Sequence, residues 1–321
     1  MSKLSTARKM KKITTAIALV LGISGSLSAQ QLPLYSQYYF NPFVSNPSMT
    51  GISDETNAYL VHRAQWTGIP GAPVTNAFTV DGSIKDKNMG LGFMVFNDVQ
   101  DINERLGLYA SYAYRLKIDD NNRVLLGLSM GFLDNRIDFS KAVVTDNTDP
   151  MLFSAIQRKS ALDATFGAIY EWKKLRAGFA IPQIFGQHVK YDGLDALAYY
   201  QLARHYQGSV QYNFMLSETA ELSLEPLAMV RWVPNTPVQY DINAILNWKN
   251  IGWLGLSYRS NYAVGTNLRV KLFNSLSAGY AYDVIITPLR TSGGVSHEFM
   301  LGYTFGQMQG GGGGKMRGKY D

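Results

Sequence analysis

The sequence predicts an all-β fold, a transmembrane antiparallel β-barrel of about 14 strands. Segments of roughly ten residues alternate apolar and polar side chains, with turn residues between them, as strands with lipid on one face and water on the other require. The connections sort by length, short ones alternating with longer ones. Charged residues keep to the polar parity of their segments, because an arginine or lysine facing mid-membrane lipid costs roughly 2–4 kcal/mol.

Residues 1–29 read as a secretory signal peptide. Lys3, Arg8, Lys9, Lys11 and Lys12 form a basic start, and Ile13–Ile23 is apolar but too short to span a bilayer. Small residues then lead to a cleavage point at Ala29-Gln30, although Leu27 is larger than usual three positions before it. Five of the net +6 charges sit in this segment, which leaves about +1 on the remainder. The basic pI therefore belongs mostly to export and implies no nucleic-acid partner. The chain has no cysteine, which excludes a disulfide scaffold, a cysteine zinc site and a lipidated cysteine.

Residues 30–53 precede the barrel and show no strand alternation. Pro33, Pro42 and Pro47 discourage regular structure, yet Leu34–Val44 carries seven aromatic or large apolar residues, too many for a solvated tail. This segment is expected to plug the lumen or cap its periplasmic mouth, because about 14 strands enclose more space than wall side chains fill.

The barrel is expected over 54–306. Its strands fall near 55–66, 72–84, 88–98, 103–117, 122–134, 159–172, 175–181, 200–214, 219–233, 236–248, 251–259, 262–272, 275–284 and 294–306. In "RLGLYASYAYRL", Leu106, Leu108, Ala110, Tyr112, Tyr114 and Leu116 face one way, with Arg105 and Arg115 on the other face. Alternate turns read "KDKN", "DDNN", "KK", "SETA", "KN" and "NS", short and polar as periplasmic turns are. The other connections include the two long ones, around 135–158 and 182–199. Parity directs Arg105, Arg115, Glu221, Glu225, Arg231, Asp241, Arg259, Arg269, Asp283 and Glu298 into the lumen, together with Arg63. Trp66, Trp172, Trp232 and Trp248 sit at strand ends, where interfacial girdles form. Residues 307–321 hold five consecutive glycines and read as a flexible periplasmic tail.

Little points to catalysis, a metal or a cofactor, and none is expected. His62, His188, His205 and His297 lack partners at ligand spacing. Asp283 and Glu298 approach one another in the last hairpin, but alternation separates His297 from both.

Five blocks in order, "LPLYSQYYFNPFVSNPSMTG" (32–51), "RAQWTGIPGAPVT" (63–75), "WLGLSYR" (253–259), "GYAYD" (279–283) and "SHEFMLGY" (296–303), resemble the PorP/SprF family. Those are outer-membrane proteins linked to type IX secretion and gliding motility in Gram-negative bacteria. Ser48-Met49 departs from the smaller pair expected there. The resemblance implies a non-enzymatic barrel that assists export or surface attachment of a large adhesin or other type IX cargo. It would bind the cargo's C-terminal domain and link to periplasmic components; the alternative is a passive or substrate-specific channel. Trp66, Gly68, Pro70 and Pro73 would build a rigid outer turn, either a cargo-facing element or a barrel-closing corner. Tyr35, Gln37, Tyr38, Asn41, Pro42, Asn46 and Pro47 would form the plug or a partner surface.

Overall fold

A computed structural model describes residues 32–53, 55–84, 88–141, 156–190, 199–291 and 293–306, with the side chains of 188–190 and 199–201 outside the description. The signal peptide and the glycine-rich tail lie outside the described residues. Seventeen strands are found: β1 Thr56–Thr67, β2 Val74–Ile84, β3 Met89–Gln100, β4 Asn103–Lys117, β5 Asn122–Asp138, β6 Ile156–Trp172, β7 Leu175–Ile181, β8 His188–Lys190, β9 Tyr199–Gln201, β10 Tyr206–Tyr212, β11 Phe214–Ser217, β12 Leu222–Trp232, β13 Gln239–Trp248, β14 Gly252–Arg259, β15 Ala263–Lys271, β16 Leu276–Ile285 and β17 Val295–Phe305. β10 and β11 both pair with β12 and count as one wall strand broken at Asn213. Each wall strand pairs antiparallel with its sequence neighbour, and β1 pairs with β17 through Leu60↔Leu301 and Arg63↔Glu298, which closes a 14-stranded barrel.

Closure leaves no open edge where the strands overlap, so every wall strand has its backbone paired on both sides there, the condition for crossing hydrocarbon. The outer wall is greasy: Leu60, Phe132, Ile242 and Leu256 are each more than half exposed. Their neighbours in sequence point inward and are buried, as with Val61, Leu133 and Asn243. A water-soluble surface does not carry a continuous apolar belt of this extent. The turns at residues 118–121, 173–174, 218–221, 249–251 and 272–275 are short and lie at one end, the one expected to face the periplasm. The described parts of the longer connections, residues 139–141, 182–190 and 199–205, lie at the other.

Two expectations need correction. The strand expected at 200–214 instead spans 206–217, while Tyr199–Gln201 pairs with His188–Lys190 in a small outer hairpin. The cause is β7. It stops at Ile181 before Pro182, so its partner finds wall contacts only from Gln207 to Tyr212. The prolines of the N-terminal segment also do not prevent helical turns: Pro42–Val44 and Pro47–Met49 are single turns of 3₁₀ helix with proline first. At that position the missing N–H has no partner to lose. Asn46 caps the second turn by accepting from Ser48 N at 3.0 Å.

Residues 32–53 lie inside the barrel. Leu32, Pro33 and Leu34 sit beside the outer turns 233–238 and 260–261, and Gly51 meets the backbone of Gly82 at the periplasmic end. The chain descends the lumen before turning up into β1.

The wall alternation sets a measurable cost. Leu128→Arg, in the middle of the apolar face of β5, should weaken folding into phosphocholine vesicles by about 2–4 kcal/mol. Leu128→Met should stay close to the parent in the same denaturant titration.

A clamped segment in the lumen

The deepest polar cluster joins this luminal segment to the barrel closure. Arg63 of β1 is fully buried, and its Nη2 lies 3.0 Å from Asp283 Oδ2 of β16 and its Nη1 3.1 Å from Glu298 Oε2 of β17. The inward parity of these three strands brings all three charges to one point. Glu298 also accepts from the backbone N–H of Ser36 at 2.7 Å and of Gln37 at 2.9 Å. The Ser36 hydroxyl donates to Asp283 and accepts from Arg63 Nη1. Tyr262 OH accepts from Arg63 Nη2 and Gln65 Nε2, each at 3.2 Å. One arginine, two carboxylates and the backbone of the chain's own luminal segment thus pair with one another in a buried site. A buried ion cluster of this kind contributes little when intact and costs several kcal/mol when one partner is removed.

Further contacts run down the segment. Tyr38 OH accepts from Asn243 Nδ2 at 2.8 Å, and the Arg231 guanidinium sits 5.3 Å over the Tyr38 ring. Arg231 and Arg259 bracket Asp241, and Arg259 Nη2 reaches Tyr35 O. Arg269 lies 5.3 Å over Phe40 and 5.0 Å over Trp253. Asn41 Nδ2 donates to Thr79 Oγ1 at 2.8 Å. Lower down, Gly51 N donates to Asp81 Oδ2 at 2.6 Å, and Arg115 Nη2 donates to the carbonyls of Thr50 and Gly51.

Inward-facing strand glycines let the segment this close. A Cβ on Gly90 would stand 2.1 Å from Thr50 O, on Gly127 2.2 Å from Ser48 N, and on Gly167 2.0 Å from Asn46 Oδ1. Any larger residue collides with the segment, so these glycines are notches cut to its path.

The sequence-expected residues divide into groups. Tyr35, Gln37, Tyr38, Asn41, Asn46 and Pro47 all lie in the lumen, with Pro42 half-buried beside them. Arg105 and Arg115 are buried inward, Arg105 against Asp98 at 2.7 Å. Glu225 accepts from Gln211 and Asn213. Glu221 is a correction: it occupies the periplasmic turn with φ 48° and is exposed, because β12 starts only at Leu222. The outer turn also splits. Trp66 and Pro73 pack into a corner, where Trp66 N donates to Ser296 Oγ and Pro73 O accepts from Gln65 N, whereas Gly68 and Pro70 form an exposed tip.

Ser36, Asp81, Tyr262 and the notch glycines did not stand out in the sequence. The one available signal was parity: Gly90, Gly127 and Gly167 all fall on inward positions of otherwise alternating strands. Asp283 and Glu298 are engaged by Arg63 and by the segment, which leaves them a structural clamp. His297 points outward and bonds Tyr280 OH, and His62 bonds Asn76 on the same outer wall. The side chain of His188 lies outside the described residues. Among those described, no three His, Asp or Glu side chains are placed to hold a metal.

Above the segment the lumen opens into a cavity of about 690 Å³ lined by Leu34, Tyr38, Phe96, Tyr109, His205 and Arg231. Its mouth is formed by the outer turns. Burial, and the Arg231 charge nearby, push the His205 imidazole down to about 4, against the bond its ring makes with Ala203 O.

A family profile described as "Type IX secretion system membrane protein PorP/SprF" matches residues 27–303. Among solved structures the chain is similar to the CymD monoaromatic hydrocarbon channel, at 11% identity over 86% of this chain and 94% of that one, with a TM-score of 0.52. It is also similar to the outer membrane protein Omp33 of Acinetobacter baumannii, at 8% identity over 80% and 99% and a TM-score of 0.47. A Pseudomonas aeruginosa FadL homologue matches at 14% identity over 86% and 95%, with a TM-score of 0.43. No curated protein matches. At these identities the CymD likeness establishes the barrel fold alone.

Two outcomes follow from the clamp and the cavity wall. Arg63→Met should lower stability by about 3–5 kcal/mol, since it strands two buried carboxylates. Adding Asp283→Asn and Glu298→Gln to the same chain should recover part of that loss, read as the denaturant midpoint in detergent. His205 holds its neutral form when packed, so opening the stretch 202–205 of the loop lets it take up a proton that the packed form refuses. Protection of this loop from hydrogen exchange should therefore decline as pH falls from about 6.5 to about 4 and then level off. His205→Gln should flatten the profile.

Proposed function

Because the chain belongs to the PorP/SprF family of type IX secretion system membrane proteins, we propose that it is a non-enzymatic outer-membrane barrel that holds a secreted cargo at the cell surface. The cargo is a large adhesin or similar exported protein, gripped through its C-terminal domain, and the periplasmic end meets other components of the secretion or motility apparatus. The observation that carries this reading is the filled lumen. A barrel whose interior is occupied by its own residues 32–53, clamped by Arg63, is built as a rigid platform and not as a wide pore. A concave surface remains in the outer cavity, lined by residues 233–238, of which Val238 is exposed. An amphipathic cavity of this size suits an inserted loop or strand end whose apolar anchors are buried while its backbone finds polar groups such as Gln239 and Asn261. The channel reading would need the segment to leave the lumen, against the clamp and the notches together.

The test is co-purification from detergent-extracted outer membranes, with identification of what stays attached. A large exported protein should be retained by the parent barrel. Val238→Arg should lower its retention about tenfold, equivalent to about 1.4 kcal/mol, while the barrel itself stays at parent level in the membrane. Recovery of the barrel alone under mild extraction would overturn the reading.

A further inference from the structure

The wall strands close the ring but differ in length, and a step lies between β6 and β7. β6 pairs with β5 along its whole length, from Ile156↔Asp138 to Trp172↔Asn122, without a shift of register. On its other side it pairs with β7 only from Phe166↔Ile181 to Trp172↔Leu175, because β7 ends before Pro182. Residues 156–165 of β6 therefore run on past the strand beside them.

One backbone hydrogen bond crosses the step, from Ile184 N to Ala164 O at 2.9 Å. It fixes how the rest of the strand is turned. In a strand the N–H and C=O of one residue lie on the same side, and those of the next lie on the other. Leu162, Ser160 and Arg158, at even spacing from Ala164, thus direct both groups away from β5. Among the described residues no backbone group pairs with them on that side, and all three residues are exposed. The N–H of Ala164, the first donor at the step, is taken up by the Asp163 side chain at 2.8 Å. The outer hairpin of β8 and β9 comes near β6 but pairs within itself.

This edge stands beyond the hydrocarbon. Phe132 and Leu162, opposite one another, form the last apolar pair on the outward face of β5 and β6. Past them the outward pairs are Asp134 with Ser160 and Arg136 with Arg158. Asp134 accepts from Arg158 Nε at 2.7 Å and from Ser160 Oγ at 2.6 Å. Charged groups in mid-membrane would be costly, so this cluster marks the watery side of the interface. On the inward face, Asp163 and Thr165 at the foot of the edge line the outer cavity. The edge is therefore continuous with the concave surface proposed above for cargo.

An unpaired edge in water is a template for another strand, and proteins commonly blunt one with a proline or a bulge. Residues 156–165 contain no proline, and their register with β5 has no bulge. The charges of Arg158 and Lys159 discourage indiscriminate pairing and leave the backbone groups available.

We propose that the edge of β6 at Arg158, Ser160 and Leu162 takes one extended segment of the exported cargo by strand addition, with the inward side chains of that segment turned toward the outer cavity. This rests on the cargo-platform reading and gives it a mode of binding. Main-chain hydrogen bonds hold the segment, and the cavity selects among the side chains at every second position. On its other face the segment needs an apolar residue beside Leu162 and polar ones beside Ser160 and Arg158.

The test uses the exported protein that co-purifies with the parent barrel as its probe. Ser160→Pro removes an N–H that points out of the sheet, a position where an edge strand tolerates proline. It should lower retention of that protein at least about tenfold, with the barrel at parent level in the membrane. A second measurement needs no variant: hydrogen exchange across 156–163 of the parent barrel should slow when the exported protein is attached. Equal retention by Ser160→Pro and the parent, or exchange across 156–163 that attachment leaves unchanged, would overturn the edge as the site and leave the platform reading standing. A parent barrel that retains no exported protein would overturn both. A purified parent that is dimeric by light scattering, and monomeric after Ser160→Pro, would give the edge to a second copy and overturn its assignment to cargo.

Discussion

The structure depends on the burial of one guanidinium. Arg63 carries its charge fully buried, and among the described residues it pairs with Asp283 and Glu298, on strands more than two hundred residues away in sequence. The same strands close the barrel. The salt cluster therefore forms only when the first and last strands have met in register, and Ser36 and Gln37 complete its hydrogen bonds only when the preceding segment is already inside. Closure and filling satisfy one set of buried polar groups, so neither is complete without the other.

This coupling explains the chemistry of the interior. A barrel of this girth in lipid faces two opposite solvents, and its inward residues cannot all find partners across so wide a space. The segment solves that by bringing backbone and amide groups to the wall: N–H groups to Glu298 and Asp81, carbonyls to Arg115 and Arg259. Aromatic rings fill what remains, with Phe40 and Trp253 flanking Arg269. Glycine notches bring the segment close enough for these bonds to form. The side toward β7 and β10 lacks such matching, and there the wall stays half-exposed.

The platform reading and the fold support each other through rigidity. In the proposed role a cargo pulled from outside would load the wall, and a hollow cylinder of strands would deform under that load. A lumen braced by hydrogen bonds to eight wall strands resists it. The cavity opens among residues 233–238 and 260–261 at one end, while the described turns at the other end are short.

Alternation alone determined the strands, their number and which charges face inward, because lipid on one side and water on the other impose a period of two that few substitutions can violate. Leu106–Leu116 and Tyr240–Trp248 show it plainly. It was least informative where that solvent contrast lapses. Residues 199–201 alternate like a wall strand but pair in an outer hairpin, and Glu221 keeps wall parity while sitting in a turn. Inside the lumen there is no second solvent to impose a period, and partners lie far apart in the chain. That Arg63 meets Asp283, Glu298 and Ser36, that three glycines are notches, and that one flank is only half-buried were decided only by tertiary structure, since each rests on which distant side chains the closed barrel brings into contact.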